Sequence, residues 1–194
     1  MIGRRRPTHR VHLPARVLPM HRGDWYEDPL VHELAAEGVS LTVTGSRTLI
    51  DDDARVEGTE LYVRTKDERF VAAAVDLLER QAAPVGSYVE DLRTRQRTPF
   101  GRCAVIVARL HAAVPVDAVF DRADGNAVLM AVIEAMRDEL AATRAGVVPS
   151  WHVLPETTDV VLHGADADAL VAFVESEPWF AELTDEVELV RVTP

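Results

Sequence analysis

Histidines are the first residues in this chain whose spacing suggests chemistry. His9 and His12 stand three apart, as two ligands of one metal ion might, but on an extended strand they point to opposite faces and cannot share an ion. His21, Asp24 and His32 fall in or near one loop, where nothing in the sequence fixes a metal geometry. The run Asp51-Asp52-Asp53 reads as a solvated turn, because no Glu stands at the spacing that completes a calcium loop. The single cysteine, Cys103, excludes an internal disulfide and a multi-cysteine metal site, and its apolar setting predicts an inert buried thiol. The carboxylate pairs Glu27-Asp28 and Glu175/Glu177 lie at predicted helix ends, where capping and solvation account for them better than acid/base work. No Gly-rich phosphate loop, nucleophile elbow or zinc-protease helix occurs, and no cofactor is implied.

Two further constellations depend on strand geometry. If Thr157-Thr158 closes a two-residue hairpin, His152 lies directly opposite His163 and Leu154 opposite Val161. The two imidazoles then share the face away from the helices, close enough to hold a metal, an anion when protonated, or a partner's carboxylate. In the first half, alternation turns Val11, Leu13, Leu41, Val43, Leu61 and Val63 inward. It gathers Arg10, His12, Thr42, Thr44, Tyr62 and Arg64 on the other face. An aromatic beside two Arg can stack on and pair with a nucleotide or other anion, although RNA-binding sheets carry two or three aromatics and only one is here. The candidate binding residues are therefore Arg10, His12, Tyr62, Arg64, His152 and His163. No residue is assigned a catalytic or metal-binding role.

The elements that must position them follow from periodicity. Val128, Leu129, Val132, Ile133, Met136 and Leu140 recur at three and four residue steps and predict an amphipathic helix over Asn126–Thr143. The apolar run Cys103–Leu110 before it is an interior strand. Two short strands, a helix capped by Asp166 and stopped by Pro178, and a last strand over Glu186–Val192 follow. The order is βαββαβ. Residues 9–92 read the same way, and Thr59-Glu-Leu-Tyr-Val-Arg overlays Thr158-Asp-Val-Val-Leu-His at a fixed offset, the pattern of an internal duplication. The predicted fold is α+β, with tandem ferredoxin-like units over residues 1–93 and 102–194, antiparallel sheets with helices on one face, and a basic connector at 94–101. Val128, Val132, Met136, Leu170, Phe173 and Val174 are expected to form one core against Val105, Val107, Val160 and Leu162.

Composition narrows the function. The 194 residues are 47% apolar with a net charge of −11, which suits a stable core and disfavours general attraction to nucleic acid or anionic lipid. Basic charge is concentrated, with six Arg and no acid in residues 1–22 and four Arg and no acid in residues 93–102. Apolar runs fall short of the ~20 residues that span a bilayer. Pro7-Thr-His-Arg stands where a signal sequence would place its apolar core, so a cytoplasmic, reducing setting is expected. These features favour a non-catalytic binding or regulatory protein with a protein partner, such as an inhibitor or immunity-like partner of a basic protein, which the acidic surface suits. The alternative is a small-molecule-binding protein or enzyme of α+β-barrel type, with a His/Tyr/Arg-lined pocket between sheets.

Overall fold

The computed structural model describes residues 6–111 and 123–193, with side chains in the second range from residue 127 onward. The chain divides into two compact units between Arg102 and Cys103.

In the first unit, β1 (His9–Leu13) leads through a short helix α1 (Pro19–Arg22), a π-helical turn (Gly23–Glu27) and α2 (Asp28–Ala36) into the hairpin β2 (Leu41–Ile50) and β3 (Val56–Thr65). Helix α3 (Phe70–Arg80), β4 (Ser87–Asp91) and β5 (Arg97–Phe100) complete it, and the antiparallel sheet has the order β2-β3-β1-β4-β5. The second unit runs β6 (Ala104–His111), α4 (Ala123–Thr143), β7 (Val147–Val153), β8 (Thr157–Gly164), α5 (Ala167–Ser176) and β9 (Val187–Val192), with the order β7-β8-β6-β9. Both sheets have their first strand between the third and fourth, as the βαββαβ reading requires. Each helical layer covers one face. Val11, Leu13, Leu61 and Val63 are buried with Phe70, Leu77 and Leu78 in the first unit; Ile106, Leu110, Val160 and Leu162 are buried with Leu129, Ile133 and Met136 in the second. Among the described residues no helix is long and apolar enough to cross a membrane.

Local chemistry sets several boundaries. Asp51 Oδ1 accepts from the N–H groups of Asp53 and Arg55 at 3.0 and 2.8 Å, which makes the aspartate run the β2–β3 turn. Asp166 caps α5, its side chain accepting from the N–H groups of Asp168 and Ala169. Gly101 has φ +91°, and a Cβ there would drive into the Pro84 carbonyl, so only glycine can carry the chain out of β5.

Several expectations are corrected. Residues 94–101 are not a free connector: Arg97–Phe100 pairs with β4, Ser87 opposite Phe100 and Glu90 opposite Arg97, and Pro99 is accommodated because β5 is an edge strand. In β6, Ile106, Ala108 and Leu110 face the helices, while Val105 and Val107 join Val161 on the opposite face. An unbroken apolar run has no alternation from which its inward side can be read. Along α4 the buried stripe is Leu129, Ile133, Met136 and Leu140, with Val128 and Val132 at its flank, and Phe173 is half-buried against the Trp179 ring, 5.2 Å away. Cys103 is likewise half-buried, just before β6.

Candidate functional site

Strand alternation brings Arg10, His12, Tyr62 and Arg64 to the helix-free face of the first sheet, Arg10 opposite Tyr62 and His12 opposite Glu60. The two β4 residues that flank β1 on this face, Tyr88 and Glu90, were not anticipated, nor was Arg97 from β5. Arg10 is the centre of the group. Its Nη1 donates to Glu60 Oε1 at 2.8 Å and its Nη2 to Glu90 Oε2 at 2.5 Å and to Tyr88 Oη at 3.3 Å. Tyr62 Oη donates to the other Glu60 oxygen at 2.7 Å, and that bond, with burial, raises the tyrosine pKa. Both carboxylates are almost wholly buried, 5% and 3% exposed, and Arg10, the cation they share, keeps two charges tolerable there, with Arg95 3.5 Å from Glu90 adding to it. Tyr88 has two ring neighbours: His12 stacks on it at 4.7 Å and 21°, and the Arg97 guanidinium carbon sits 4.4 Å from its ring centroid. Burial pushes His12 below the ordinary histidine value; Glu60 opposes this, and Arg10 and Arg97 reinforce it. The lowered value favours the neutral form of the stacked imidazole. His9 points the other way, its ring against Phe70 at 5.1 Å.

The second sheet repeats the central device. Arg109 on β6 donates through Nε to Asp159 Oδ1 on β8 at 3.0 Å and through Nη1 to Glu188 Oε2 on β9 at 3.2 Å, with His111 Nε2 3.7 Å from Glu188. In each unit an Arg on the first strand is thus held by a carboxylate from each neighbouring strand, with a His two residues on. The offset that overlays Thr59 on Thr158 also overlays Arg10 on Arg109, His12 on His111 and Glu60 on Asp159. That Arg-x-His repeat was present in the sequence and is its clearest overlooked signal.

His152 and His163 do not pair. The turn is made by Pro155-Glu156, with Leu154 N–H donating to the Thr157 carbonyl at 2.8 Å, so His152 lies opposite Asp159 and His163 opposite Val147. Pro155 fixes the φ that the first central position of such a turn needs, which sets the register. His163 is fully buried. Among the described residues no three His, Cys, Asp or Glu side chains converge as a metal site would require.

The second unit holds a cleft of about 650 Å³ between α5 and β9. Its floor is the helix-facing side of β9, an edge strand that α5 leaves partly uncovered: Val187 and Leu189. Val171 and Val174 of α5 and the buried Phe180 supply the walls. Glu175, Glu177 and Asp185 line the same cleft, and none has a salt-bridge partner among the described residues. Its one cation, Arg191, is engaged with Asp168 at 2.5 Å. The end wall is firm: Trp179 Nε1 donates to the Phe173 carbonyl at 3.2 Å, and Thr184 Oγ1 to the His111 carbonyl at 2.7 Å.

No protein-family profile matches the chain, and no curated protein matches it. Among solved structures it is similar to a candidate monooxygenase from Fusobacterium nucleatum at 10% identity, covering 96% of this chain and 91% of that one with a TM-score of 0.33. It is also similar to the regulatory subunit of aspartate kinase from Thermus flavus at 11% identity, 89% and 93% coverage and a TM-score of 0.29. A third similarity, at 8% identity, is to the first two RRM domains of yeast poly(U)-binding protein, with 96% and 99% coverage and a TM-score of 0.26. At such scores these likenesses carry no functional argument.

Proposed function

We propose that this is a binding protein whose second unit takes an extended, cationic and apolar segment of a partner protein in the α5–β9 cleft. The observation that carries the reading is the pairing of an apolar floor with three uncompensated carboxylates at the edge of a sheet. An extended segment has alternate side chains for the floor and rim, and its backbone can pair with the outer side of an edge strand. Lys or Arg in the segment meets Glu175, Glu177 and Asp185, and the overall charge of −11 speeds the approach of a basic partner. The repeated Arg-x-His clamp supports descent of the two units from one duplicated unit, with the cleft a specialisation of the second.

Titration with a peptide of alternating valine and lysine, read through Trp179 fluorescence, tests the proposal. Saturable binding should weaken with salt, and the triple variant Glu175→Gln/Glu177→Gln/Asp185→Asn should lose about tenfold in affinity, at the ~0.2–1 kcal/mol typical of each exposed ion pair. Equal binding of a valine–glutamate peptide, or no loss in the triple variant, would overturn it.

A further inference from the structure

A different feature of the first unit points to a small ligand. At the end of its sheet where β1 and β2 begin and β3 finishes, a cleft of about 400 Å³ is lined by Arg6, Thr8, Ser40, Thr42, Arg64 and Lys66, with Leu41, Thr65 and Asp67 completing it. We infer that this cleft binds the phosphate group of a small phosphomonoester through Arg6, Arg64 and Lys66.

In a chain with eleven more acids than bases, more than half of the described arginines hold a carboxylate: Arg10, Arg22, Arg55, Arg69, Arg80, Arg95, Arg102, Arg109 and Arg191. Arg6, Arg64 and Lys66 have no carboxylate partner among the described residues, yet they surround one cleft. The lining carboxylate, Asp67, does not cancel them. Its Oδ1 accepts from Arg69 Nε at 3.0 Å and its Oδ2 from Arg69 Nη2 at 2.7 Å, and this pairing holds its pKa at about 2. The Asp67–Arg69 pair is therefore neutral in sum, and three positive charges remain.

The wall of the cleft is also ordered. Thr8 Oγ1 accepts from the Thr65 N–H at 3.0 Å, Thr65 Oγ1 donates to the Ser40 carbonyl at 2.6 Å and accepts from the Asp67 N–H at 3.0 Å, and Arg69 reaches the Gly38 carbonyl at 2.7 Å. These bonds tie the starts of β1 and β2 to the end of β3, so the wall is fixed before a ligand arrives. Thr42 lies opposite Arg64 in the β2–β3 ladder, and both line the cleft. Guanidinium and ammonium donors with flanking hydroxyls match the three oxygens of a terminal phosphate. The volume suits a small molecule, and the acidic remainder of the protein disfavours a polyanion.

The probes are inorganic phosphate and glycerol phosphate, titrated into the full-length protein by calorimetry at low ionic strength, with sodium chloride and malonate as controls. Saturable binding near millimolar is expected for phosphate and glycerol phosphate, with malonate at least about fivefold weaker. The double variant Arg64→Gln/Lys66→Gln should lose at least about tenfold in affinity. Arg97→Gln, remote from this cleft, should bind as the parent does. Lys66 is exposed, Arg64 is half-buried, and neither holds a carboxylate among the described residues, so the melting temperature should change little and will separate lost binding from lost folding. No saturable phosphate binding, malonate binding as tight, or undiminished binding in the double variant would overturn the assignment.

Discussion

Replacing Phe70 by alanine should destabilise the first unit by about 4 kcal/mol, within the range for truncating a fully buried aromatic. Phe70 opens α3, is 0% exposed, and packs in one core with Leu13, Leu61, Leu77 and Leu78 while its ring meets His9. It joins helix to sheet from the first turn of α3. Denaturant unfolding of the full chain measures the effect; a loss under about 1 kcal/mol would show that the site collapses or that Phe70 does not anchor the helix.

Arg10→Met should cost about 3 kcal/mol, because it leaves Glu60 and Glu90 buried on the sheet without their shared cation. The deficit has a pH signature. Burial raises the Glu90 pKa, but the hydrogen bond and charge of Arg10 outweigh it, and the group titrates below its ordinary value. A carboxylate lowered on folding contributes stability above its unfolded pKa and loses it as pH falls through the folded one. The gap between parent and variant should therefore be full at neutral pH and close on acidification through the carboxylate range. Adding Glu60→Gln and Glu90→Gln to Arg10→Met should restore most of the stability, since amides tolerate the site without a cation. A gap unchanged by pH would mean that the variant suffers from lost packing of the Arg10 stem alone.

Much of this arrangement was legible in the sequence, and the failures have physical causes. The order βαββαβ could be read because β2 and β3 alternate and α3 and α4 carry apolar stripes. The same alternation placed Arg10, His12, Tyr62 and Arg64 on one face. Their carboxylate partners come from strands 50 and 80 residues away, and pairing over such separations leaves no local trace. β5 was hidden because arginines and a proline resemble a linker, although Asp91, whose side chain accepts from the Arg93 and Thr94 N–H groups, marks the turn before it. The β7–β8 register was misread because Pro155, rather than the threonines, makes the turn. The α5–β9 cleft could not be foreseen, since it depends on how far a helix leaves an edge strand uncovered.

The central claim concerns that cleft, and backbone chemical-shift mapping of the full-length chain with the valine–lysine peptide tests it most directly. Saturable shifts should be confined to Val171–Glu175, residues 177–185 and Val187–Arg191. Shifts centred instead on the Arg10–Tyr88 face of the first sheet, or none at concentrations that saturate the fluorescence change, would contradict it.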